Sequence, residues 1–146
     1  MQRKKHIILL VEDNPNDEEL TLLALSDSRV ANQVIVVRDG AEALDYFFCR
    51  GAYASRDPTD LPQVVLLDIK LPKVDGLEVL RQLRADPRTA LQPVVLLTSS
   101  KEEQDMLSGY RLGANSYVRK PVSFVQFSEA VKQLSLYWLV LNEAPP

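Results

Sequence analysis

Cysteine and histidine are nearly missing from this 146-residue chain, which holds one of each, Cys49 and His6. A single cysteine excludes an internal disulfide and any cysteine-built metal cluster, so nothing in the chain requires an oxidising compartment. Long apolar runs are missing as well. The longest, Ile7 to Val11 and Leu136 to Leu141, fall far short of the ~20 residues that span a bilayer, and the basic start Arg3-Lys4-Lys5 leads into only a short apolar stretch. A transmembrane helix is excluded, no signal peptide is indicated, and a cytoplasmic protein is expected. Nor is there an excess of positive charge. Seventeen Lys and Arg against twenty Asp and Glu leave a formal net charge of −3, the wrong sign for a protein that binds nucleic acid by counterion release.

What is present is an ordinary globular composition, 46% hydrophobic and 25% charged, at a length that suits one domain of roughly 150 residues. Short β-branched or leucine-rich runs alternate with stretches of helical period, the pattern of a parallel sheet with crossover helices. Strands are expected at Ile7 to Val11, Gln33 to Val37, Val64 to Leu67, Pro93 to Leu97 and Ser116 to Arg119. Helices are expected over Asp17 to Ser26, over Ala41 to Cys49, after Gly76 and after Ser100, where Glu103 completes a capping-box spacing and Gly113 closes the helix. The last is expected from Ser123, with Phe124, Phe127, Val131 and Leu134 as its stripe. Arg50 to Gln63, with Gly51, Pro58 and Pro62, reads as a long surface loop. The fold class is α/β, a (βα)5 doubly wound parallel sheet of flavodoxin-like strand order 2-1-3-4-5.

In such sheets ligands sit beyond the carboxyl ends of the strands, at the point where strand order reverses. Strand one ends in Glu12-Asp13, strand three in Asp68, strand four in Thr98 and strand five in Lys120-Pro121. Three carboxylates, a hydroxyl and an ammonium thus converge on one edge. The carboxylates would repel one another unless a cation were present, and Lys120 with a divalent ion would balance them. Oxygen ligands without histidine or cysteine select a hard ion, and Mg2+ is expected. An aspartate attacking phosphorus there would form an acyl phosphate, with Thr98 and Lys120 holding phosphoryl oxygens.

These segments, together with Leu66-Leu67-Asp68-Ile69-Lys70-Leu71-Pro72, Asp75-Gly76, Gly113-Ala114-Asn115 and Arg119-Lys120-Pro121, resemble the receiver domain of two-component response regulators over essentially the whole chain. The resemblance implies that Asp68 accepts phosphate from a sensor histidine kinase. It implies that Glu12 and Asp13 hold Mg2+ with the Lys70 backbone carbonyl, that Tyr117 is an aromatic switch, and that Lys120-Pro121 is a cis peptide. It also implies slow self-dephosphorylation rather than enzymatic turnover. The loop Gly51 to Pro62, the stretch Arg119-Lys120-Pro121-Val122 and the tail from Tyr137-Trp138-Leu139 to Pro145-Pro146 are similar to the stand-alone regulators paired with bacterial phytochromes, so a phytochrome-type kinase is the expected partner.

The tail poses a question of its own, because Leu136 to Leu141 is apolar on every side of a helix and should be buried on every side. It either packs on its own domain or forms a subunit interface. Aromatic anchors favour an interface, so a homodimer through the fourth helix, fifth strand and fifth helix is expected, with Tyr137, Trp138 and Leu139 in it. A core of about 6–135 and a helical extension over 136–146 leave no room for an output domain, and signalling through protein contacts is expected. The rivals are a constitutive dimerising adaptor that is never phosphorylated, which has no need of a charge-balanced cluster, and a metal-dependent aspartyl-phosphate hydrolase. The hydrolase would carry a second carboxylate where Lys70 stands. A flavodoxin-like flavin binder is disfavoured by two acids after the first strand.

Overall fold

Five parallel strands lie in the order β2-β1-β3-β4-β5: β1 Ile7–Val11, β2 Gln33–Val37, β3 Val64–Leu67, β4 Val94–Thr98 and β5 Ser116–Arg119. Helices α1 Pro15–Ser26, α2 Gly40–Phe48, α3 Gly76–Ala85 and α4 Glu103–Arg111 connect them. The structure, a computed structural model, describes residues 7–26, 33–98, 103–120, 125–126, 129–130, 132–133 and 137–143, without the side chains of Thr98, Glu103 and Val140. The expected fold class and strand order are as observed. β3, at the centre of the order, is buried at every position, which is why its sequence is an unbroken Val-Val-Leu-Leu rather than an alternating one.

The alternation of strand side chains divides the core into two layers. Leu9, Val11, Val65, Leu67 and Leu96 face the α2 and α3 side with Leu44, Phe47, Val79 and Leu83. Ile8, Leu10, Val64, Leu66, Val95 and Leu97 face the other side, with Ala24 and Leu25 of α1. Trp138 and Leu139 join this second layer, 8% and 5% exposed. Of the two alternatives for the tail, packing on its own domain is the one these two side chains take: they cover the chain's own sheet. Of the three expected interface residues, Tyr137, 50% exposed, is turned outward. A five-residue helical turn over Tyr137–Leu141, closed by Asn142 N donating to Tyr137 O at 2.7 Å, sets them in place. The wide turn lets two consecutive residues face inward together.

Two elements differ from expectation for local reasons. Helix α1 begins at Pro15 rather than Asp17, because Asn14 Oδ1 accepts from the amides of Asn16 (2.9 Å) and Asp17 (3.1 Å) and Pro15 fills the first helical position. The loop after α2 is a surface loop as expected but a fastened one. Its Arg56 guanidinium stacks 3.8 Å from the Tyr46 ring and donates to the Tyr46 and Asp60 carbonyls, while Tyr53 meets Tyr46 edge-on at 5.3 Å. Gly113, at φ +93°, ends the turn after α4 as expected. The proposed cap Ser100, Pro121 and its peptide bond, and Ser123, Phe124, Phe127, Val131 and Leu134 lie outside the described residues.

Candidate functional site

Backbone ladders carry the acidic residues past the ends of the strands. Glu12 N donates to Val37 O at 3.0 Å and Asp68 N to Val11 O at 3.2 Å, so each acid is held in strand register one step beyond β1 and β3. Period two then decides the face. Glu12 follows Ile8 and Leu10, Asp68 follows Val64 and Leu66, and Lys120 follows Val118, so all three fall on the layer shared with α1.

Their side chains meet there. Lys120 Nζ donates to Glu12 Oε1 and Oε2 at 2.9 and 2.8 Å and to Asp68 Oδ2 at 3.0 Å. It also donates to Asp17 Oδ2 at 2.8 Å. Asp68 Oδ1 accepts the Lys70 amide at 3.2 Å. The ammonium and the Glu12 and Asp68 carboxylates are buried, at 7%, 3% and 8% side-chain exposure. Burial alone would lower the lysine's proton affinity, but hydrogen bonds to Asp17 and Glu12 and the field of Asp68 more than reverse this and hold it above the ordinary lysine range. Glu12 is held well above the usual carboxylate range by burial, which the bonds from Lys120 only partly offset, and the charges of Asp68 and Asp17 add to the rise. The acids outnumber the base.

That excess is the electrostatic setting for a cation. Oxygens of Glu12, Asp13 and Asp68 all lie within 4.8 Å of one another, and Asp13 is exposed to solvent. A carboxylate-only set with an open side fits a hard divalent ion that keeps water. Among the described residues no helix is long and apolar enough to cross a membrane.

The loop after β3 is built around Asp68. Gly76 N donates to Ile69 O at 2.8 Å, and a Cβ on Gly76 would stand 2.1 Å from the Asp68 carbonyl oxygen, so only glycine fits. Asp75 caps α3, accepting from Leu77 N at 2.8 Å. Gly40 is packed as tightly against Val74, where a Cβ would lie 1.8 Å from the carbonyl oxygen. The acceptor loop is thereby clamped between α2 and α3.

Of the residues singled out from sequence, Glu12, Asp13, Asp68 and Lys120 come together. Lys70 extends its ammonium away, 3.5 Å from Asp105 of α4. Tyr117 is half-buried against the α3-side layer, close to Gly109 of α4. Thr98 ends β4 opposite Arg119, and its side chain is outside the description. Asp17 was missed. Its signal was the Asn14-Pro15 pair, which starts α1 early enough to put Asp17 in the first turn, facing the strand ends.

A family profile for the response regulator receiver domain matches residues 8–132. The chain belongs to the response regulator receiver family. Among curated relatives it is 41% identical over 140 residues to the "Probable methanogenesis regulatory protein FilR2" of Methanothrix harundinacea, covering 95% of this chain and 87% of that one. It is 35% identical over 133 residues to the response regulator Rcp1 of Synechocystis, covering 91% and 88%. The Mn2+-bound structure of Rcp1 superposes with a TM-score of 0.88 at 33% identity, covering 97% of this chain and 99% of that one. The phosphorylated cyanobacterial phytochrome response regulator RcpA gives 0.90 at 38% identity, covering 98% and 100%. The bacteriophytochrome response regulator RtBRR gives 0.78 at 54% identity, covering 98% and 86%. This receiver is thus related to phytochrome response regulators, and the acidic cluster of Glu12, Asp13 and Asp68, together with the Mn2+-bound relative Rcp1, suggests a divalent metal site.

Proposed function

We propose that this receiver accepts a phosphoryl group on Asp68 from the phosphohistidine of a sensor histidine kinase, and that it signals through protein contacts in the cytoplasm. The observation that supports this most is the Asp68 carboxylate, buried yet bonded by Lys120 and set beside Glu12 and Asp13. In the transfer an Asp68 oxygen forms the O–P bond while the N–P bond to the kinase imidazole breaks, the nitrogen keeping the electron pair and taking up a proton. Lys120 meets the negative charge on the phosphoryl oxygens, and the Thr98 hydroxyl holds another of them. Glu12 and Asp13, with the Lys70 carbonyl, would hold Mg2+, which offsets phosphoryl charge when bound.

Phosphoryl contacts drawing the loop after β4 inward would favour a buried Tyr117 and so alter the surface of α4 and β5. Lys70, two residues after the acceptor, pairs with Asp105 of α4; turned back toward the phosphoryl group, its ammonium would tune slow hydrolysis, and an unchanged phosphate lifetime in Lys70→Ala would refute this. Exposed Leu107 and Tyr110 on α4 and Tyr137 in the tail support a homodimer through α4, β5 and the C-terminal helical segment. Kinship with Rcp1, RcpA and RtBRR points to a phytochrome-type kinase as donor. Radiolabel transfer tests this: an autophosphorylated phytochrome-type kinase should pass its label to the wild-type chain within minutes. Transfer only from unrelated kinases would refute the partner.

A further inference from the structure

Asp17 stands outside the group of carboxylates able to share a metal, which is Glu12, Asp13 and Asp68, yet its Oδ2 accepts from Lys120 at 2.8 Å. We propose that Asp17 is a positioning residue acting through Lys120: it holds the ammonium at the mouth of the site and yields it to an arriving phosphoryl oxygen. This deepens, and rests on, the phosphoacceptor reading of Asp68.

An ammonium has three N–H donors, while Lys120 Nζ has four carboxylate oxygens within 3.0 Å, two from Glu12 and one each from Asp17 and Asp68. A phosphoryl oxygen adds another acceptor, so a present partner must give way. The side chains of Glu12 and Asp68 are 3% and 8% exposed, and releasing either leaves a buried carboxylate without its counterion. Asp17 is 31% exposed and is solvated when released. It is the partner whose loss costs least.

Asp17 is also fixed in place independently of Lys120. Its amide is held by Asn14 Oδ1 at 3.1 Å, and its carbonyl accepts the Thr21 hydroxyl at 2.7 Å. Its charge adds to a cluster in which acids already outnumber the base, which favours a cation and opposes an anion. Asp17 therefore acts with opposite sign on the two things the site binds.

Beryllofluoride, which mimics a phosphoryl group on an aspartate, and Mn2+ alone are the probes. In Asp17→Asn, beryllofluoride binding in the presence of Mg2+ should tighten about tenfold, the worth of one charge-assisted hydrogen bond no longer competed for. Mn2+ binding without the anion should weaken roughly threefold. A merely structural contact would weaken both together, and that result overturns the proposal. Glu19→Gln removes the same charge from an exposed position of α1; if it reproduces the Asp17→Asn pattern, the effect is general electrostatics and the proposal fails. Asp17→Ser must give the same pattern should the asparagine variant not fold. Asp68→Asn separates the two readings. If it abolishes beryllofluoride binding while Asp17→Asn behaves as wild type, the role of Asp17 alone is refuted; if it still binds, the phosphoacceptor reading falls and this one with it.

Discussion

Gly76 lies so close beneath Asp68 that a Cβ built on it would stand 2.1 Å from the Asp68 carbonyl oxygen. Backbone atoms on both sides make that contact unable to relax without moving the acceptor. Gly76→Ala should therefore lower stability by about 1–3 kcal/mol despite alanine's better helix propensity. It should also slow phosphorylation more than a surface change of equal cost. Urea unfolding and phosphorylation rate, measured on the same sample, check this; an alanine variant as stable and as fast as wild type would contradict it.

Trp138 and Leu139 cover the layer of Ile8, Leu10, Leu66 and Leu97 within the chain. Trp138→Ala should cost about 3–5 kcal/mol, and the loss should not depend on protein concentration. If the tail were instead held only by a second copy, the loss would vanish on dilution of both proteins, since subunit linkage is concentration-dependent. Tyr137→Ala, by contrast, should leave monomer stability nearly unchanged and weaken self-association.

Tyr53 reports on the loop after α2. Its hydroxyl donates to Glu42 Oε2 at 2.9 Å, and burial, that bond and the Glu42 charge push its phenol up to about 12. An unfolded tyrosine ionises near 10. The folded chain thus holds this proton more tightly, and the stabilisation is complete below about pH 10 and lost as pH rises through about 12. Ultraviolet titration should show a phenolate with a midpoint near 12 that is absent in Tyr53→Phe. Stability between pH 10 and 12 should fall more steeply in wild type than in the variant; equal slopes would contradict this.

Much of this was legible in the chain itself, and particular residues show why. The central strands are short, buried on both faces and bounded by turn formers, so Val64 to Leu67 and Ile7 to Val11 declare themselves by composition alone. Glu12, Asp13, Asp68 and Lys120 were legible because period two and strand order fix where each strand end points. Asp17 was not, because its place depends on where α1 begins, and the Asn14 cap moves that start by two residues. Nor was the fate of Trp138 and Leu139: an all-apolar segment reports that it is buried without saying against what. Arg50 to Gln63 reads as a plain surface loop because the stacking of Arg56 on Tyr46 joins residues ten apart through no periodic signal.

Intact-mass spectrometry after incubation with a small-molecule phosphodonor and Mg2+ tests the central claim most directly. The wild-type chain should gain the mass of one phosphoryl group, with none added when the metal is chelated and none on Asp68→Asn. Labelling of Asp68→Asn to the same extent as wild type would contradict the assignment of Asp68 as the phosphoacceptor.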